Sequence, residues 1–269
     1  MPIVSKNEVA FQMTDQLHLE EVLAAAVFTG ARVSGLMVFC PFLGSDAVPI
    51  PVKAGLTLLL TILLHPLRGP LGLALGSWQW AQVAVGEVVV GVLLGLVANF
   101  LFESALLAGQ ILGVQIGYSL ANVFDPQTQA DTPVLSEFHR LAALLIFLQL
   151  DVHHRLLRSL VRSFAYLPPG STFVSLAVAT GLLHAAGGIF LAGVQIAAPS
   201  LAATLIADIA LGFLGKASPQ LPVMFIGLAV KNLLGLTVMI GAIAYWPRLF
   251  NQQFARLVHI SEQLLHLAR

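Results

Sequence analysis

The residues able to do chemistry in this chain are few. Asp151-Val152-His153-His154 sets a carboxylate beside two imidazoles, the ligand types that a divalent metal takes. Adjacent histidines on a helix point apart, however, and no His-Glu-x-x-His pair accompanies them. The expected role is an interfacial polar cluster beside Arg155, Arg158 and Arg162, with no metal bound. Glu137, His139 and Arg140 have the same standing. No Gly-x-Ser-x-Gly turn presents a nucleophilic serine, and no glycine-rich loop ending in Gly-Lys-Ser/Thr cradles a phosphate. The single cysteine, Cys40, excludes an internal disulfide and a multi-cysteine zinc site. The chain therefore reads as non-enzymatic, and no cofactor is implied.

Four charges interrupt apolar segments: Arg32, Glu87, Asp208 and Lys231. A lone charge at the middle of a membrane helix costs about 2.5–3.5 kcal/mol on insertion scales. Such residues are paired or functional, and an internal ion pair is the preferred reading over a proton relay. For Asp208 and Lys231 the counting goes further. Both lie eleven or twelve residues from the centre of the turn at Pro219-Gln220. That puts them at one height in an antiparallel hairpin, roughly 17 Å from the turn. The expectation is a buried ion pair, direct or bridged by one water, that pins the hairpin in register.

The elements that must hold these residues are apolar helices. Of 269 residues, 58% are hydrophobic and 10% charged, against about 25% charged in a soluble domain. The mean hydropathy is +0.89. That shortage of charge makes the main solvent membrane lipid, or other apolar protein at membrane depth, and the balance of thirteen basic with thirteen acidic residues argues against a nucleic-acid partner. Residues 1–21 carry five charges and no compact apolar core, so no cleaved leader is expected there.

A bilayer core of about 30 Å takes roughly 20 helical residues. Val22–Leu43 and Ala47–Leu67 qualify, the second with its helix starting near Pro51. Ala81–Phe102 and Ser104–Phe124 are separated by Glu103 alone, and read as one long helix or as two with a sharp break. A polar loop at 125–131 precedes a short helix from Pro133 to Leu150. Val152–Tyr166 is amphipathic, with its arginines on one face, and Pro168-Pro169-Gly170 ends it. Residues 171–207 carry no formal charge, and Gly187-Gly188 is the expected break in a stretch too long for one crossing. Helices at Gly188–Leu214 and Val223–Trp246 follow, and then a basic tail. The fold class is all-α, of integral-membrane type.

One segment holds a stronger pattern. Ala105, Gly109, Gly113, Gly117 and Ala121 recur every four residues, a stripe that lets a neighbouring backbone approach closely. The same segment carries Gln110, Gln115, Ser119 and Asn122. Glycine weakens a helix by up to about 1 kcal/mol per residue, and amides at membrane depth seek partners or line a wet cavity. The segment is a candidate for irregular backbone lining a passage.

Several strings occur together and in order. They are Arg32-Val33-Ser34-Gly35, Pro41-Phe42-Leu43-Gly44, and the run Gly113-Val114-Gln115-Ile116-Gly117-Tyr118-Ser119-Leu120-Ala121-Asn122-Val123-Phe124-Asp125-Pro126-Gln127. Asp151-Val152-His153-His154, Ser163-Phe164-Ala165-Tyr166-Leu167-Pro168, Ile196-Ala197-Ala198-Pro199 and Asp208-Ile209-Ala210-Leu211-Gly212 follow. With these the chain resembles the FliR/SctT family of type III secretion export-gate proteins over about residues 17–260. Ala229-Val230-Lys231 departs from a Pro-Leu-Lys pattern of that family, and Val152 stands where it usually has Gly.

The resemblance implies a subunit of the flagellar export gate, a protein-conducting channel in the bacterial inner (cell) membrane at the flagellar basal body. It implies assembly with FliP and FliQ homologues, with FlhB and FlhA nearby, and unfolded protein substrates driven by proton motive force. It implies one FliR-like domain over 1–269, FliP-like at 17–187 and a FliQ-like hairpin at 188–250, with a basic tail at 251–269. Within it, 109–125 is a pore plug, whose residues are Gly109, Gln110, Gly113, Gln115, Gly117, Tyr118, Ser119, Asn122 and Phe124. The residues alone leave two other readings open. One is a self-sufficient proton-coupled secondary transporter using Glu87 or Asp208. The other is an intramembrane metallohydrolase using Asp151, His153 and His154.

Overall fold

The computed structural model describes residues 6–41, 43–44, 48–64, 76–118, 134–170, 176–220 and 222–267. Among these residues every regular element is a helix. In chain order they are α1 (Lys6–Phe39), α2 (Ile50–Leu64), α3 (Ser77–Gln115), α4 (Val134–Gln149), α5 (Val152–Tyr166), α6 (Leu176–Ala217), α7 (Val223–Ala242) and α8 (Trp246–Leu267), with a 3-10 turn at Ile243–Tyr245. Among the described residues four stretches are long and apolar enough to cross a membrane: Val22–Phe39, Trp78–Gln115, Val178–Ala217 and Phe225–Leu257.

The structure decides three questions of boundary. The question left open at Glu103 resolves to one helix, the 39-residue α3. Glu103 stays exposed and accepts a hydrogen bond from Asn99 Nδ2 at 3.2 Å, so its charge never enters the core and nothing forces a break. The break expected at Gly187-Gly188 does not occur, and α6 runs for 42 residues. Beyond the adjoining residues and the helix's own backbone, no atom lies within 4 Å of where either glycine would carry a Cβ. Both keep their amide donors, so the lost propensity weakens the helix without ending it. The one residue of α6 that lacks a donor is Pro199. Finally, residues 251–267 of the basic tail are part of α8, whose Trp246, Phe250 and Phe254 recur every fourth residue and are at most 2% exposed.

The helices contribute to two compact units. The first comprises Met1–Val97, Leu156–Gly181 and Ile260–Arg269. Its centre is Arg32, fully buried on α1. Arg32 Nε donates to Glu87 Oε2 on α3 at 2.6 Å, with both side chains 0% exposed. One terminal nitrogen donates to Ser163 Oγ at 3.0 Å and the other to the Leu167 carbonyl at 2.9 Å. Leu167 lies just past the end of α5, where helix carbonyls lack partners and the dipole favours a cation. The guanidinium also stacks over the Phe164 ring, 4.2 Å from its centroid.

Three glycines bring α1 and α3 close enough for this. A Cβ on Gly91 would collide with the Arg32 carbonyl, and one on Gly35 with the Val88 carbonyl. At Gly95 a Cβ would sit 2.7 Å from the Leu36 carbonyl. Phe28, Val33, Leu36, Val90 and Leu94 pack around the contact, at most 1% exposed. Phe28 meets Trp80 with ring centroids 4.8 Å apart.

The second unit comprises Ala98–Arg155 and Leu182–His259. Its aromatic centre is Phe147, 5.5 Å from Phe102 and 5.6 Å from Phe254 between centroids. Gly193 on α6 lies against Ser104 and Leu107 of α3, where a Cβ would come 3.0 Å from the Ser104 carbonyl.

Two expectations follow. Gly91→Ala should disrupt the first unit, because the obstruction is backbone, whereas Gly187→Ala should be neutral or stabilise by up to about 1 kcal/mol. Thermal unfolding of the purified chain in detergent reads both, and equal effects would contradict the packing described. Glu87→Leu alone strands a buried guanidinium and should cost about 3–5 kcal/mol. Adding Arg32→Met should recover a large part of that loss, measured as the unfolding midpoint of the double variant against the single.

Candidate functional site at the foot of the glycine-rich segment

The small-residue stripe is not uniform in its physical demands. Ala105 is 1% exposed in the core. Gly109 is set by contact, since a Cβ there would collide with the Ser136 backbone and reach within 2.6 Å of the Leu135 carbonyl on α4. Gly113 has room, since a Cβ there would meet only Leu135 Cδ1, at 4.0 Å, beyond the helix's own backbone. Gly117 is set by conformation, with φ of 91°. It ends α3 in a Schellman cap, in which the Tyr118 amide donates to the Gly113 carbonyl at 2.8 Å and the Gly117 amide to Val114 at 3.2 Å. Gln110 is exposed on α3. Ser119, Asn122 and Phe124 lie outside the described residues, as does Ala121.

Just before that cap the chain is tied to the α6–α7 hairpin. Gln115, the last residue of α3, donates from Nε2 to Asp208 Oδ2 at 3.1 Å. Lys231 Nζ lies 2.9 Å from the other oxygen, Oδ1. One carboxylate thus accepts from the end of α3 and from α7. The Lys231 side chain is 19% exposed and that of Asp208 is 42%, so the pair is half-buried within this chain. Ile116, 2% exposed, seats over Gly235 of α7, where a Cβ would come within 2.6 Å of Ile116 Cγ2. Beside the joint lies a cavity of about 750 Å³, lined among others by Gly117, Tyr118, Asp208, Phe225, Leu228 and Lys231. Tyr118 is 43% exposed there. The arrangement has the character of a mechanical joint: a left-handed glycine, a docked isoleucine and one shared carboxylate at the point where the chain leaves α3.

The other residues singled out lie elsewhere. Glu87 is held by Arg32 in the first unit. Arg140 makes two hydrogen bonds to Glu137, at 2.9 and 2.5 Å, and holds its carboxyl below the usual range. His139 is fully buried, and its Nδ1–H donates to the Leu135 carbonyl at 2.7 Å. Burial pushes its imidazole below the ordinary value, against the opposing pull of that hydrogen bond. Its ring packs on Trp246, 4.9 Å between centroids.

The expectation that His153 and His154 point apart is wrong, because their rings lie 4.2 Å apart between centroids. The 100° step between neighbours fixes the Cβ directions, not the ring ends. Both rings turn toward Asp151, whose Oδ1 is 3.3 Å from His154 Nδ1 and 4.0 Å from His153 Nε2.

Sequence reasoning missed the roles of Gly193 and Gly235, and the bond from Gln115 to Asp208. Neither glycine belongs to a run of small residues at every fourth position like that from Ala105 to Ala121, so no stripe announces it. Gln115 and Asp208 are 93 residues apart, a distance that no spacing rule covers.

Comparison with known proteins supplies the context. The model of the family described as bacterial export proteins, family 1, matches residues 23–257. The flagellar biosynthetic protein FliR of Escherichia coli K12 is 31% identical over 237 residues, covering 87% of this chain and 91% of that protein. FliR of Bacillus subtilis 168 is 28% identical over 251 residues, 92% and 96% of the two chains. FliR of Caulobacter vibrioides is 26% identical over 247 residues, 88% and 95%.

A double-mutant cycle on Asp208→Asn and Lys231→Met tests the joint. In the isolated chain the pair is half-exposed, and its coupling should be about 1 kcal/mol or less. Where a partner covers the site the coupling should rise, because the surviving charge then loses water. The unfolding midpoints of the two singles and the double give the coupling, and strict additivity in both settings would exclude an energetic role.

Proposed function

The chain belongs to the bacterial export proteins of family 1, and we propose that it is a non-enzymatic subunit of the flagellar type III export gate. In this reading it helps to pass unfolded flagellar subunits across the bacterial inner membrane at the basal body. FliP and FliQ homologues surround it, with FlhB and FlhA nearby. The part at 17–187 is FliP-like, the hairpin at 188–250 is FliQ-like, and 251–269 is the basic end.

One observation carries the reading of a subunit over that of a self-sufficient protein. Only 33% of the apolar span in Val178–Ala217 and 22% of that in Phe225–Leu257 is buried within the chain, against 50% in Val22–Phe39 and 56% in Trp78–Gln115. Along α6, large apolar side chains stand exposed from Leu183 through Phe190, Ile206 and Phe213 to Leu214. At 1.5 Å per residue that is about 46 Å of helix. A bilayer core of about 30 Å is too thin to cover it all unless the helix is strongly tilted. Protein partners of matching apolarity supply the rest of the cover.

The second support is the joint at Gln115. A plug must be held in one place at rest and must be able to leave. The segment from Gly109 through Gln110, Gly113, Gln115, Gly117, Tyr118, Ser119 and Asn122 to Phe124 fills the lumen in this reading. Its foot is fixed to the hairpin by the shared Asp208 carboxylate. Opening then requires that one hydrogen bond to a half-exposed acceptor be exchanged for water, a step of modest cost, and that Ile116 leave its seat over Gly235. The alternative of a proton-coupled transporter finds less support. Glu87 is sealed at 0% exposure against Arg32, and Asp208 already accepts from two protein donors.

Two measurements test the proposal. Expressed alone, the chain should be of low stability and self-associate as it is concentrated in detergent, and expressed with FliP and FliQ homologues it should purify as a defined complex. A monodisperse monomer that supports transport in liposomes would sink the reading. In the reconstituted complex, deletion of residues 119–124 should raise ion leakage across the membrane, and Gln115→Ala should raise it by a smaller factor. Unchanged conductance in a correctly assembled deletion variant would exclude the plug.

A further inference from the structure

The corner between α4 and α5 takes no part in the joint. Asp151 forms it with φ of 52°, the one non-glycine residue with a left-handed backbone among those described. Its amide donates to the Leu148 carbonyl at 3.1 Å, and its own carbonyl accepts from the His154 amide at 3.1 Å. The backbone is thus tied on both sides, and the carboxylate is carried over the first turn of α5. One ligand atom from each of Asp151, His153 and His154 falls within 4.8 Å of the others.

The two histidines converge because they offer different nitrogens. His153 reaches with Nε2, at the far end of the ring, and His154 with the nearer Nδ1. Nδ1 of His153 is buried without a hydrogen bond, so Nε2 is the nitrogen of that ring open to a ligand. Around a tetrahedral zinc ion with bonds of about 2.0–2.2 Å, neighbouring ligand atoms lie roughly 3.3 Å apart. The Asp151–His154 separation is already 3.3 Å. His153 Nε2, 4.0 Å from Asp151 Oδ1, needs to close by about 0.7 Å, and no pair within the 4.8 Å bound needs to close by more than about 1.5 Å, which side chains 73%, 62% and 39% exposed can do by rotation.

We propose that Asp151 Oδ1, His153 Nε2 and His154 Nδ1 form a three-ligand site for a divalent first-row transition-metal ion of the zinc type, with the remaining position open to water. Two imidazoles and a carboxylate suit such an ion rather than calcium or magnesium, which prefer oxygen. Arg155 follows directly, but its terminal nitrogen is drawn 3.2 Å to Asn251 Oδ1 on α8. Arg158 is a turn further on and exposed, where salt screens its field. All three ligands lie within four residues, so the ion is a local clip on the corner and not a cross-link between distant helices.

The test uses untagged chain co-purified with its partner subunits and stripped with a chelator. Zn²⁺ is titrated in competition with a chromophoric chelator, and Co²⁺ is followed in parallel by its visible absorption. One equivalent per chain is expected, with affinity at least about tenfold weaker in Asp151→Asn, His153→Ala and His154→Ala, and unchanged stoichiometry in Arg158→Ala. Less than one equivalent, or binding unaltered in the Asp151→Asn/His154→Ala double variant, would overturn the site. If the variants fail to assemble, the unsubstituted complex decides. Zn²⁺ should protect His153 and His154 from diethyl pyrocarbonate, read by mass spectrometry, and equal modification with and without Zn²⁺ would overturn the site as well.

Discussion

A guanidinium cannot be left bare inside an apolar protein, and the first unit is arranged around meeting that demand. The guanidinium of Arg32 carries five N–H donors and no acceptor, so its burial has to be answered by geometry. Three elements answer it: Glu87 from α3, Ser163 near the end of α5, and the Leu167 carbonyl just beyond. The Leu167 carbonyl is an acceptor that the helix itself cannot satisfy. The Ser163 hydroxyl has its own proton directed to the Leu160 carbonyl at 2.6 Å, which turns a lone pair toward the guanidinium. The close approach of α1 and α3 belongs to the same arrangement. Gly91 rests against the carbonyl of Arg32 itself, and any side chain there would push Glu87, four residues earlier on the same helix, out of reach.

Set beside this, the Asp208 joint is the opposite kind of electrostatic contact. Arg32 and Glu87 are at 0% exposure and held from several sides. Breaking one partner there leaves a charge with nowhere to go, and the loss is several kcal/mol. Asp208 keeps 42% of its side chain open, and Lys231 and Gln115 each contribute one bond to it. Water stands ready to replace either donor. The chain thus separates a permanent ionic contact from a breakable one by burial alone, with similar residue types in both. The breakable one lies where the helix ends and a glycine turns the backbone.

Much of this was legible in the sequence, and for identifiable reasons. The length and apolarity of the helices follow from runs that no charge interrupts, and α5 is found at its observed bounds because Pro168 and the arginine face define it. The level placement of Asp208 and Lys231 follows from counting to a turn that Pro219 and Pro222 mark. Breaks were harder. Gly187-Gly188 resembles a helix end by composition, but helix geometry tolerates glycine wherever its amide still finds a carbonyl. Glu103 resembles a boundary by charge, yet one exposed face of a long helix carries it without cost. What no pattern revealed is the pairing of distant residues, namely Arg32 with Glu87 and Gln115 with Asp208. Each requires knowing which helices are neighbours.

Helix length places a limit on what the surroundings can be. The 42 residues of α6 amount to about 63 Å and the 39 of α3 to about 58 Å, roughly twice a bilayer core. A hydropathy pattern treats lipid and an apolar partner alike, because both reward the same side chains. Length separates them: lipid offers a slab of fixed thickness, and an assembly of helices offers a cover of any height. The inward-facing half of α3 finds much of its cover inside the chain, where Val97, Leu101 and Leu112 are at most 2% exposed. The hairpin of α6 and α7 does not, and its glycines at 187, 188, 212 and 241 have open space around them. Glycines with no neighbour inside a chain, on helices too long for the bilayer, leave room for backbones from other chains to approach.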